Sequence, residues 1–297
     1  MNHCVFPVTA LRSVTLITPD LPAAIDFYTK TWQLNLVSAS PEQAFLAATG
    51  DDIYVLELVA GKLPALEKIV FRVRSLQDLQ NLQSACLDAG CSLLNTIGPA
   101  SDPARGTVFT IREPQGCVLE FVYGDLRKPG EQIANRPCRL AHININSVQI
   151  DSLTQFWQNT LGFRLTDRSK AMAFLCCNDD HHAIVLADAP INGLNHVAFL
   201  LPDLESLMRG SGHILDQGYK IGWGPGRHGP GDNVFTYFIG PDGIVIEYTA
   251  EVLQINADYR FRGPDEWSWP KGRTDHWGIA PPKSEDCKKA QISIGFS

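Results

Sequence analysis

The chain has 297 residues, enough for one large or two medium domains, and 44% apolar against 19% charged residues is the balance of an ordinary globular protein. A net charge of −7 offers no electrostatic footprint for nucleic acid or an anionic membrane. No apolar run approaches the roughly 18 residues of a membrane span, and the N-terminus lacks the pattern of a secretory signal. A cytoplasmic protein acting on a small molecule is the expectation. Its eight cysteines form no CxxC pair and read as reduced thiols, not as a disulfide frame or a zinc site.

In chain order, residues 11–18 read as a strand, and Asp20 caps a helix whose Leu21, Ala24, Ile25, Tyr28 and Trp32 fall on one face. A strand-rich stretch follows, with residues 53–59 its clearest run, then a strand over 67–73. Ser75 stands as the N-cap of a helix with Leu76, Leu79, Leu82 and Cys86 at helical spacing, stopped at Gly90. Strands over 107–112 and 117–123, turned by Pro114-Gln115-Gly116, close this half as a hairpin. From Arg139 the same order begins again: strand 140–147, helix 151–163, strands 171–177 and 182–188, strand 195–201 and helix 203–218. It ends in a hairpin of strands 234–239 and 244–249 about Gly240-Pro241-Asp242-Gly243.

The correspondence is nearly constant in offset. Asp26-Phe27-Tyr28 stands 129 positions before Gln155-Phe156-Trp157, Asp88-Ala89-Gly90 stands 128 before Asp216-Gln217-Gly218, and Glu113-Pro114-Gln115-Gly116 stands 127 before the hairpin turn. An internal duplication explains this, with the polar, proline-containing residues 125–138 as the linker. The expected fold is α+β. It comprises an N-terminal domain over 1–124, a C-terminal domain over 139–252 and an extension over 253–297, each domain holding two strand-helix-strand-strand-strand modules that curl mixed sheets round a concavity.

Duplication supplies an internal control, because what the fold alone requires stands in both copies. His142 is matched by Ser13, His196 by Lys68 and Glu247 by Glu120, so only the second copy carries two histidines and a carboxylate at equivalent strand positions. In the closing strand Glu247 faces away from Ile246 and Tyr248, and a carboxylate in an apolar strand is costly to bury unless a cation holds it. Two histidines and one carboxylate on one face are the donor set of non-haem iron(II), which leaves three coordination positions open. Spacing alone also allows ordinary hydrogen-bonded strand histidines.

Five stretches of the second half, AHIN at 141–144, HHAIVLA at 181–187, NHVAF at 195–199, GPGRHG at 224–229 and YFIGPDGIVIEYT at 237–249, resemble the type I extradiol ring-cleavage dioxygenases. These are members of the vicinal-oxygen-chelate superfamily; the first half is similar only in its module pattern. The resemblance implies iron(II), less often manganese(II), at His142, His196 and Glu247. It further implies His182 as the acid-base histidine, with His228 and Tyr237 acting on substrate oxygens and Asn144 beside the metal. Catechol and dioxygen are the implied reactants, and a homo-oligomer is expected. The sequence departs from homoprotocatechuate-type members at Trp223, where they carry an arginine; Trp223 suits an aromatic or apolar substituent, although Arg273 is kept in the lid-like segment at 272–278. Two other readings share the fold: a glyoxalase-like isomerase or epimerase, usually with four protein ligands, and a metal-free small-molecule-binding protein.

Overall fold

The computed structural model describes residues 7–297, so Cys4 lies outside them, and each repeat in it begins with a strand that runs into a helix. β1 (Val8–Thr18) leads to α1 (Leu21–Asp26), where the Asp20 carboxylate accepts the Ala23 N–H and Pro22 occupies a position that needs no intrahelical donor. A π turn carries the helix on to Thr31. β2 (Asn35–Ala39), β3 (Gln43–Ala47) and β4 (Leu56–Ala60) complete the module. The second module is β5 (Ala65–Val73), α2 (Leu76–Asp88), β6 (Ser92–Pro99), β7 (Thr107–Arg112) and β8 (Val118–Tyr123).

The second half repeats the order. β9 (Arg139–Ser147), α3 (Ile150–Asn159), β10 (Arg164–Arg168), β11 (Met172–Cys176) and β12 (Ile184–Asp188) form the third module. β13 (Gly193–Leu200), α4 (Leu204–Asp216), β14 (Ile221–Arg227), β15 (Val234–Ile239) and β16 (Val245–Ala250) form the fourth. The chain then runs through α5 (Glu285–Ala290) to β17 (Gly295–Phe296), which pairs with β5 in the first sheet. No helix among the described residues is long and apolar enough to cross a membrane.

Three local expectations need correction. The run expected over 53–59 enters the ladder only at Leu56, because Asp52 makes an isolated bridge to Arg127 and the Tyr54 hydroxyl bonds Asp102. The expected strand over 182–188 begins at Ile184, which leaves both His181 and His182 in the preceding turn. β6 and β14 carried no clear strand signal: the first five residues of β6 are exposed, and β14 reads Ile-Gly-Trp-Gly-Pro-Gly-Arg and is held by its pairing with β15.

The sheets run β2-β3-β4-β1-β5-β8-β7-β6 and β10-β11-β12-β9-β13-β16-β15-β14, so the same order is written twice. Registers coincide as well. Ser13 opposes Val70, which opposes Glu120; His142 opposes Ala198, which opposes Glu247. A shared core joins the halves. Trp32 packs on Phe199, Phe238 and Tyr248 of the second sheet and its carbonyl accepts the Tyr248 hydroxyl at 3.0 Å, while Trp157 packs on Phe71 of the first.

The first sheet curls round a 350 Å³ cavity at the equivalent place. Within it the Lys68 ammonium lies 3.1 Å from Glu120 and 3.9 Å from Glu57, while Thr15 and Thr110 donate to the same two carboxylates. The charge that an ion would contribute is here covalently attached. Lys68→Met leaves two largely buried carboxylates without their cation, which is expected to cost about 1–3 kcal/mol. A urea titration of the variant will show a lower midpoint, while its capacity for divalent metal stays that of the wild type.

Candidate active site

β9, β13 and β16 are neighbours in the second sheet, and their register sets the site. His142 and Glu247 flank Ala198 in one cross-strand row, while His196 stands two residues back along β13 and so points to the same face. His142 Nε2 and His196 Nε2 are 3.2 Å apart, and they lie 3.3 and 3.1 Å from Glu247 Oε2. Three donors bound at about 2.1 Å to one ion in mutually cis positions would stand about 3 Å apart, close to this triangle. Both Glu247 oxygens are buried without a hydrogen-bond partner, although the carboxylate is wholly enclosed. Lone pairs that converge on a common point, rather than on one another's protons, fit a divalent cation. His142, His196 and Glu247 are the one group of such side chains, among the described residues, placed to hold one.

The electrostatics agree with that donor set. Burial alone would raise the Glu247 carboxyl, but His142, His196 and His228 around it outweigh that effect and hold it well below the carboxylate range. Burial lowers His196 to about 4, and it lowers His182, His228 and His181 as well. The site therefore presents an anionic carboxylate within a ring of imidazoles, of which burial keeps His196 neutral at pH 7.

A 370 Å³ cavity opens above the triad, lined by Asn144, His182, Trp223, His228, Tyr237 and Arg273 among others. Every residue singled out from the sequence thus reaches one place. The turn before β12 brings His182 into the pocket beside Val185, although alternation along a strand over 182–188 would set it on the face of the core residues Ile184 and Leu186. Gly231 makes room: with φ +83° it lies so close that a β-carbon there would be 2.7 Å from His182 Cε1. His181 faces away from the pocket, its Nε2 2.8 Å from Asp167, and its Nδ1 meets His182 Nδ1 at 3.1 Å. With Nε2–H donated to the carboxylate, neutral His181 accepts from His182 Nδ1–H, and the free lone pair of His182 is on Nε2. His228 stacks on Phe235 at 3.9 Å and its Nε2 stands 3.1 Å from the Tyr237 hydroxyl. Burial, then Glu247, push that phenol well up, so it remains a donor.

Of the C-terminal extension, sequence reading singled out Arg273 and missed the rest. Trp269, Arg273 and Thr274 roof the cavity, and Lys283 reaches into it with its ammonium 4.5 Å from the Trp223 ring centroid and 2.6 Å from Gln291 Oε1. Nothing in the local pattern around Lys283 or Gln291 marks them, because their role comes from where the chain returns. Asp167, on a strand edge and wholly buried, was equally silent.

The chain belongs to the Glyoxalase/Bleomycin resistance protein/Dioxygenase superfamily, whose profile matches residues 2–121 and 139–248. It is similar to Metapyrocatechase 2 of Cupriavidus necator, 32% identical over 46% of this chain and 41% of that protein, so this match spans less than half of the relative. It is also similar to the manganese-dependent 2,3-dihydroxybiphenyl 1,2-dioxygenase of Geobacillus genomosp. 3, 25% identical over 77% of this chain and 80% of that one. Among solved structures, the Mn(II)-bound glyoxalase of Novosphingobium aromaticivorans superposes with a TM-score of 0.89 at 28% identity, covering 95% of this chain and 94% of that chain.

Two outcomes follow for the metal-free protein. A histidine lowered on folding contributes stability at neutral pH that is lost as pH falls from its ordinary 6.5 through its folded value, and Glu247, also lowered, loses its contribution in the same direction. Thermal midpoints of the apo protein should therefore drop steeply between pH 6.5 and 4, and the drop should be shallower in His196→Gln. Titration with Mn(II) should show no binding to His196→Ala or Glu247→Ala and full binding to Glu120→Ala, the matching position of the first half.

Proposed function

We propose that the chain is an extradiol ring-cleavage dioxygenase, an oxidoreductase that opens a catechol beside its hydroxyls and places both atoms of dioxygen in the product, with iron(II) or manganese(II) as cofactor. The donor set carries this reading: two imidazoles and one carboxylate on a single face, opening onto a largely apolar cavity. The names of the two curated relatives support it, both being catechol-type dioxygenases. On this reading residues 139–252 are the catalytic domain, residues 1–124 a metal-free companion, 125–138 the linker and 253–297 the lid.

His142, His196 and Glu247 would hold the ion, which would supply Lewis acidity and a common binding point for the two reactants. The remaining work belongs to side chains. His182 Nε2, neutral at pH 7, takes a proton from a reacting hydroxyl and returns it during ring opening. Tyr237 donates its O–H to a substrate oxygen as charge develops there, and His228, hydrogen-bonded to Tyr237, holds that hydroxyl in line. Asn144, whose Oδ1 is buried without a partner, accepts from a substrate hydroxyl. The aromatic and apolar walls at Trp223, Phe174 and Met172 sandwich the ring and keep water out.

The lining of the cavity also supports a reading of the substituent. Arg273 and Lys283 line it and no aspartate or glutamate does, so an anionic substituent on the catechol suits it better than an apolar one. Lys283 takes the place of an arginine at residue 223 as the cation of that wall.

A second reading, a metal-dependent isomerase, is favoured by the full-length likeness to a Mn(II)-bound glyoxalase. The three-donor face speaks against it, since such isomerases usually close the site with a fourth protein ligand. Oxygen uptake with a panel of catechols decides: stoichiometric uptake with a ring-opened yellow product supports the dioxygenase, and none across the panel overturns it. His182→Ala should keep its metal and lose roughly two to four powers of ten in turnover, with His181→Ala losing much less. Lys283→Met should lower kcat/KM for carboxylated catechols relative to neutral ones by about tenfold or more, a contact worth about 1–3 kcal/mol.

A further inference from the structure

His196 does not stand alone on its strand. The β9–β13 ladder slips between Leu194 and His196, so Asn195 is bulged and its side chain swings beside His196 instead of to the opposite face. Asn195 Oδ1 lies 2.8 Å from His196 Nδ1 and also accepts Gln291 Nε2–H at 2.7 Å, while Asn195 Nδ2 donates to Asn146 Oδ1 at 2.9 Å. Asn146 Nδ2 in turn donates to the Gln291 carbonyl at 2.6 Å. Gln291 Oε1 accepts from the Lys283 ammonium at 2.6 Å. Gln291 and Asn195 are both at most 7% exposed.

Each polarity in this chain is fixed by the one before it. An ammonium can only donate, so the Gln291 oxygen faces Lys283 and its NH₂ faces Asn195. Asn195 must then present its oxygen, and its own NH₂ is taken up by Asn146. A carbonyl oxygen at His196 Nδ1 requires a proton there, which leaves the lone pair on Nε2, the atom aimed at Glu247 and His142. The segment that starts this relay is anchored close by: Ile294 pairs with Leu194, the residue before Asn195, and Gly193 lies so near that a β-carbon would be 2.1 Å from the Ile294 carbonyl.

We propose that the C-terminal extension is part of the metal centre, with Gln291 and Asn195 acting as positioning residues that fix the tautomer and direction of His196. Partners of this kind commonly change metal affinity about 10–100-fold. The inference rests on the assignment of His196 as a ligand but not on the reaction catalysed, and it is tested without substrate.

Mn(II) is titrated into the metal-free, full-length protein and its Gln291→Glu, Asn195→Leu and Asn195→Asp variants, with the apo thermal midpoint and circular dichroism recorded for each. Gln291→Glu keeps shape and the Lys283 contact but loses the donor to Asn195, and Asn195→Leu loses the acceptor; both should weaken Mn(II) binding about tenfold or more. Asn195→Asp keeps the acceptor and should bind within about twofold of wild type. Nitrogen-15 spectra of labelled histidine should show His196 protonated at Nδ1 in wild type and a mixture of tautomers in Gln291→Glu. Wild-type affinity in Gln291→Glu, or Asn195→Asp as weak as Asn195→Leu, overturns the proposal. If Asn195→Leu fails to fold, the two isosteric variants decide. His196→Ala is the control: full Mn(II) binding there overturns the ligand assignment itself, whereas loss there with wild-type affinity in Gln291→Glu overturns only the positioning role.

Discussion

The structure depends on one expensive arrangement, a carboxylate taken completely out of water in the middle of β16. Removing an ion of that size from solvent costs several kcal/mol even after relaxation, and neither Glu247 oxygen recovers the loss through a hydrogen bond. Three histidines crowd round it instead, at distances of 3.1, 3.3 and 3.8 Å. The ion pairs of Glu247 among the described residues are all to histidines and none is to a lysine or arginine, so the arrangement makes physical sense when a cation completes it. The curl of the sheet, the bulge at Asn195 and the turn that delivers His182 all serve to bring lone pairs to that point.

The repeat was legible because duplication writes the fold twice, and matching offsets reveal an architecture that single-strand propensities would leave uncertain. The same duplication made the triad visible: Ser13 and Lys68 at the positions of His142 and His196 show what the fold does not need. Where sequence reading failed, a tertiary contact had overridden a local pattern. Asp52 and Tyr54 leave the ladder for Arg127 and Asp102, and the glycines of β14 form a strand only because β15 lies alongside. His182 reached the predicted pocket by an unpredicted route, since period-two alternation applies only inside a strand.

The extension was legible only as a possible cover. Its actual contribution comes from a return path of more than forty residues after β16, and no local spacing relates Lys283 to Trp223 or Gln291 to Asn195. Trp223 taken alone suits an aromatic or apolar substituent, and the Lys283 ammonium over its face adds a cation to the same wall. A side chain's meaning for specificity lies in its neighbours as much as in its type.

Lys68 gives the two halves different liabilities. An ion on side-chain donors exchanges with its surroundings, competes with other metals and, if it is iron, can be oxidised; an ammonium on a four-carbon stem does none of these. In the first half the counter-charge to Glu120 is built into the chain, and the Trp32 contacts join that half to the core of the second.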